Sequence, residues 1–203
     1  METTTQNNYH FLIRRFHSLL GLVPIGVFLT FHMVLNLTAH GGATQYDLVI
    51  RTMQSFPGIF IVELVVIFIP IALHAAYGTW VVYTGQTNIL KYQYARNWFY
   101  FIQRLSGLYT VLFVIIHVYL LRFSEANFAA LAGFLSNPLG LAFYVLGVLS
   151  AIFHFTNGLW AFAITWGITI GPHSQKVWLY TLGLIFIVLS VVGISDIAAF
   201  LSY

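Results

Sequence analysis

Eight histidines stand in a chain of 203 residues that contains no cysteine. Imidazole can ligate a metal, relay a proton or bridge helices by hydrogen bonds. The lack of cysteine removes disulfides, iron–sulfur clusters, thiolate haem ligation and covalent c-type haem attachment from this chain's chemistry. Four histidines, His32, His74, His117 and His154, lie inside long apolar runs. A histidine there is costly unless it is paired, ligated or facing water.

The apolar runs dominate the composition. Hydrophobic residues make up 60% of the chain and charged residues 6%, against roughly 25% charged in soluble domains. Mean hydropathy is +0.87. Eight basic and five acidic residues cannot cover a soluble surface of this size. The composition excludes a cytosolic enzyme, a disordered chain and a solvated binding module, and makes lipid the solvent. A net charge of +3 with no basic stripe excludes nucleic acid as a partner.

Spanning a bilayer core takes roughly 20 apolar residues in a helix. Five segments qualify: Ser18–Leu37, Ile59–Tyr83, Phe101–Leu121, Pro138–Ala163 and Val177–Phe200. The expected fold is an all-α integral membrane bundle of five transmembrane helices, one domain over residues 1–203, because polar or turn-forming connections separate the spans and no long linker does. The first span is read as retained rather than cleaved as a signal, since cleavage would discard His32. With the N-terminus cytoplasmic, Arg14, Arg15, Lys91, Arg96, Arg104 and Lys176 lie inside and only Arg51 and Arg122 outside. That bias puts the C-terminus outside in a multi-pass membrane protein.

Depth then sorts the four histidines. His32 precedes Asn36 by four residues and His117 precedes Arg122 by five, so each sits roughly 6–8 Å inside the outer boundary. His74 follows Pro57 by 17 residues and His154 follows Pro138 by 16, so each lies roughly 24–26 Å below the outer surface. Two depth-matched pairs result, each drawn from two helices. The ordinary reading of one membrane histidine is interhelical hydrogen bonding. Two facing imidazoles at one depth, twice over, are instead how a helical bundle grips haem iron from both sides. Such six-coordinate sites transfer electrons, and the irons would differ in depth by roughly 15–20 Å.

The chain also repeats itself. His74-x-x-x-Gly78-x-Trp80 recurs as His154-x-x-x-Gly158-x-Trp160, eighty residues on, and His32 and His117 are eighty-five apart. Helices 1–2 and 3–4 therefore read as two related hairpins enclosing two b haems. Gly78 and Gly158 fall on the same helix face as the histidines and leave room for a flat macrocycle. Trp80 and Trp160 read as interfacial anchors. Arg15, His17 and Arg104 cluster at the inner boundary and are candidates for the haem propionates, with His17 placed too near that boundary to match His74 or His154. Glu63, the acid well inside a span, and Arg122 at the outer face are candidates for proton or quinone contact. Asp196 stands near the outer end of helix 5, which carries no histidine and flanks the bundle.

Three motifs in order carry a family resemblance. They are Arg14-Arg15-Phe16-His17-Ser18-Leu19-Leu20-Gly21, Ile69-Pro70-Ile71-Ala72-Leu73-His74-Ala75-Ala76-Tyr77-Gly78 and Phe153-His154-Phe155-Thr156-Asn157-Gly158-Leu159-Trp160. With the length and the five spans, the chain resembles the succinate dehydrogenase cytochrome b558 subunits of Gram-positive bacteria over nearly its whole length. The resemblance implies a membrane anchor of succinate:quinone oxidoreductase that holds two b haems on His32, His117, His74 and His154. It implies a flavoprotein and an iron–sulfur subunit docked on the cytoplasmic face, with menaquinone as acceptor. It places succinate chemistry in the flavoprotein, so no succinate-binding residue is expected here. Uphill transfer to menaquinone would draw on the proton-motive force if quinone takes its protons from outside. Fumarate reductases share the pattern. The alternatives are a cytochrome b subunit of a hydrogenase or formate dehydrogenase, and a transporter, which would want ionisable groups nearer the midplane.

Overall fold

The computed structural model describes residues 2–124 and 126–202, with side chains described from Tyr9 onward. It is built of helices, and among the described residues there is no strand. The first span runs as α1 (Glu2–Leu20), a π-helical turn (Gly21–Gly26) and α2 (Val27–Asn36). A 3-10 turn (Leu37–Gly41) leads into α3 (Gly42–Gln54). The second span is α4 (Ile59–Glu63), a second π-helical turn (Leu64–Phe68) and α5 (Ile69–Thr84). Then come α6 (Ala95–Arg122), α7 (Phe128–Leu135), α8 (Pro138–Thr165) and α9 (Pro172–Leu201). Five stretches are long and apolar enough to cross a membrane, as the hydropathy of the sequence requires.

Local chemistry sets the ends. Asn137 accepts hydrogen bonds from the Leu139 and Gly140 amides while Pro138 opens α8, and Asn127 accepts from the Ala130 amide to open α7. The π turns lie beside the interior prolines. Pro24 sits inside the first, and Pro70 follows the second by two residues. Proline lacks an amide hydrogen and crowds the carbonyl one turn back, and a widened turn relieves both defects without breaking the span.

α8 packs along α6 on one side and α9 on the other, α5 meets α1 and α6, and α9 also meets α2. The first four spans therefore surround a common axis, with α9 flanking α8 and α2. Ile152 and Ala163 on α8 are buried, whereas Val27, Ile115 and Leu184 are more than 60% exposed. Such outward apolar area suits lipid and would be costly in water.

Two helices lie where the sequence suggested only connections. α3 and α7 lie over the end of the bundle that carries Arg122, and the Asp47 carboxylate accepts the Phe128 amide at 2.8 Å to join them. Tyr46, Phe128 and Phe200 pack ring against ring beneath this cap. With eight residues, α7 is too short to span, so its hydropathy carries no membrane signal.

Candidate functional site

The four intramembrane histidines come from four helices: His32 on α2, His74 on α5, His117 on α6 and His154 on α8. They meet in the two pairs that depth predicts. The ring centroids of His32 and His117 are 5.7 Å apart, with the planes at 87°. Those of His74 and His154 are 6.0 Å apart, with the planes at 89°. Among the described residues no group of three or more His, Asp or Glu side chains converges on a metal position. A site offering two protein ligands suits a metal that brings its other ligands in a macrocycle. Two metal–imidazole bonds of about 2 Å each would hold such ring centroids about 6 Å apart, close to the observed spacing.

The second nitrogen of each ring decides which atom faces the partner. His74 Nδ1 lies 3.0 Å from the backbone carbonyl of His17, and His154 Nδ1 lies 3.0 Å from that of Gln103. A carbonyl only accepts, so His74 Nδ1 carries the proton and its Nε2 keeps its lone pair; His154 Nδ1 also lies 3.2 Å from the Gln103 amide nitrogen, and the shorter contact to the carbonyl favours the same tautomer there. His117 Nδ1 shares a hydrogen bond of 2.8 Å with the Tyr144 hydroxyl. Metal-bound histidines are oriented by this kind of outer contact. Gln103 adds a further hold: its amide donates to the His154 carbonyl at 2.9 Å and accepts from Asn157 at 2.8 Å.

The spacing of these elements exposes a second layer of the internal repeat. His17 precedes Gly21 by four residues and Gln103 precedes Gly107 by four. From Gly107 to His117 is ten residues, but from Gly21 to His32 is eleven, and the π-helical turn Gly21–Gly26 lies within that longer interval.

His17 corrects the sequence reading. It was placed too near the boundary to match His74, yet the two rings stack with centroids 4.1 Å apart and planes 7° from parallel. α1 begins at Glu2, so the helix itself runs on past the basic pair. A Cβ at Gly78 would meet only the His17 ring within 4 Å, at 3.3 Å, and one at Gly158 only the Gln103 amide, at 3.5 Å, among the described residues.

The remaining candidates divide between the two ends of the bundle. The Arg15 guanidinium lies over the rings of Phe11 and Trp166, 4.9 and 4.8 Å from their centroids. Arg104 is half-buried, contacts the Tyr100 hydroxyl and donates to the Gln86 carbonyl at 3.4 Å. Sequence reasoning missed Arg96, which lies 3.3 Å from the centroid of Trp160 and gives that tryptophan a partner beyond the interface. At this same end the buried atoms without a hydrogen-bond partner, among the described residues, include His17 Nε2, Tyr77 Oη, Arg96 Nη1 and Trp160 Nε1. Three of these side chains are N–H or O–H donors by constitution and His17 can be one. Such orphans fit an anionic group brought by a cofactor. At the opposite end Glu63 and Arg122 form an ion pair, with Nη2 to Oε2 at 2.9 Å and Nε to the same oxygen at 3.0 Å. Asp196 is buried beneath the cap, with Oδ1 unpartnered.

No family model matches the chain. It is 44% identical over 198 residues to the succinate dehydrogenase cytochrome b558 subunit of Bacillus subtilis (strain 168), a match covering 95% of this chain and 98% of that protein.

Proposed function

The chain belongs to the family of succinate dehydrogenase cytochrome b558 subunits, and from that premise we propose that it anchors a succinate:menaquinone oxidoreductase and holds two b haems, one between His74 and His154 and one between His32 and His117. Bound haem supplies reversible one-electron chemistry, linking an iron–sulfur subunit to menaquinone across the membrane. The whole chain, 1–203, acts as one haem-holding unit.

Each part of the chain has a task in this reading. His74 and His154 spend Nδ1 on backbone carbonyls, which favours the tautomer that leaves Nε2 for ligation. The Tyr144 hydroxyl, which can donate or accept, orients the His117 ring. The orphaned donors His17, Tyr77, Arg96 and Trp160, flanked by Arg15 and Arg104, hold the propionates of the haem nearer the basic end. That end faces the cytoplasm by its excess of Arg and Lys, and the flavoprotein and iron–sulfur subunits dock there. The paired Glu63 and Arg122 form a polar edge at the outer end, where they serve the quinone or its protons.

The meeting of two imidazole pairs from four helices supports this reading most directly. Pyridine haemochrome with protein quantitation on the purified complex should count two b haems per chain. A flavin-bearing subunit with succinate activity should co-purify. Fewer than two haems would overturn the di-haem reading, a colourless protein would favour a transporter, and a hydrogenase or formate dehydrogenase partner would reassign the complex.

A further inference from the structure

The two histidines of the inner pair are seated by one device used twice, and its parts are positions on the neighbouring helix. A Cβ at Gly21 would lie 2.5 Å from Cε1 and 3.0 Å from Nδ1 of His74. A Cβ at Gly107 would lie 2.8 Å from Cε1 and 2.9 Å from Nδ1 of His154. Real Cβ atoms do not approach a ring so closely, so any side chain at either position must displace the imidazole. Four residues before each glycine, one turn back on the same helix face, stands the residue whose carbonyl takes the Nδ1 proton: His17 for His74 and Gln103 for His154. Glycine and carbonyl together form a notch and a stop. The notch admits the ring edge and the stop fixes its rotation. At none of the described glycines is His32 or His117 among the three atoms nearest an added Cβ, and His117 is held by a side-chain hydroxyl instead.

We propose that Gly21 and Gly107 are positioning residues specific to the inner haem, and that with the carbonyls of residues 17 and 103 they set the orientation of its two axial ligands. The proposal rests on the assignment of His74 and His154 as those ligands. Alanine is the better helix former at both sites, so damage from Gly21→Ala or Gly107→Ala arises at the ring and not in the helix. Gly183 on α9 has open space around its missing Cβ and provides a matched control.

The test is a redox titration of the purified complex, followed by haem absorbance, for wild type and for Gly21→Ala, Gly107→Ala and Gly183→Ala. His74→Ala and His117→Ala identify the inner and outer waves, and both waves surviving in His74→Ala overturns the ligand assignment itself. With that assignment intact, each of the two glycine variants should lose the inner wave or shift it by a factor of ten in the oxidised-to-reduced ratio, about 59 mV for a one-electron couple. The outer wave should stay in place, and Gly183→Ala should change neither. An inner wave unmoved in both variants refutes the proposal. Loss of both waves in both glycine variants also refutes it, because the proposal confines the effect to the inner haem.

Discussion

The ring of His17 lies face to face with that of His74, centroids 4.1 Å apart, while the His17 carbonyl accepts the His74 Nδ1 hydrogen at 3.0 Å. One residue thus holds the same imidazole through its backbone and its side chain. His17→Leu removes the ring and keeps the carbonyl. Loss of a ring–ring contact costs about 0.5–1.5 kcal/mol, too little to expel a ligated cofactor. The expected outcome is two b haems per chain by pyridine haemochrome, with only the inner midpoint shifted. Loss of the inner haem would show that the His17 ring is required to hold it.

Tyr144→Phe tests the outer pair. Tyr144 is 4% exposed and its hydroxyl meets His117 Nδ1, so the variant strands a buried ring nitrogen with minimal change of volume. Loss of such an outer contact lowers metal affinity by about 10–100-fold. Haem content of the purified variant should fall at the outer site alone. A full outer complement after extended dialysis against a haem-binding competitor would show that the hydroxyl does not support the ligand.

Glu63 and Arg122 join α4 to α6 across 59 residues of sequence. With both side chains partly exposed, the coupling should be about 1 kcal/mol or less. A double-mutant cycle with Glu63→Gln and Arg122→Gln, read by thermal unfolding in detergent, measures it. The quinone role has a separate readout. If Glu63 delivers protons to quinone, Glu63→Gln slows quinone reduction by at least about a hundredfold and leaves succinate oxidation by an artificial acceptor intact. Equal rates with both acceptors would leave the pair as a fastener between helices.

Coupling to the membrane potential follows from the proposed orientation. If menaquinone takes its protons from the outer side, uncoupling intact cells should abolish succinate-dependent menaquinone reduction. Indifference to an uncoupler would place proton uptake on the inner side.

The depth pairing was legible in the sequence because helix rise is fixed: counting residues from Pro57, Pro138, Asn36 and Arg122 puts each histidine at its level. Lateral contacts were not legible. Which face of a span meets which neighbour depends on helix rotation, and the π turns at Gly21–Gly26 and Leu64–Phe68 alter that rotation, where the nearby prolines mark only that the helix is disturbed. His17 was misplaced for a related reason, since its contact with His74 depends on how α1 and α5 face each other. Gly21 stood within a quoted motif, but its use appears only once His74 is seen to occupy its missing side chain. The cap helices α3 and α7 went unread because short or mixed-polarity segments look like loops to any measure tuned to bilayer thickness.

The wide turn in the first span also corrects the phase of the two hairpins. An extra residue in a rigid rod lifts everything beyond it by about 1.5 Å and swings it through about 100°, which would carry His32 away from His117. The surplus residue between Gly21 and His32 is instead absorbed where the coil is loosened, and the outer imidazoles still meet. Insertions and deletions should therefore not be equivalent along this molecule. Deleting Pro24 should restore the shorter interval and leave the outer haem bound, whereas deleting Val111 from α6, which has no such slack, should lose it.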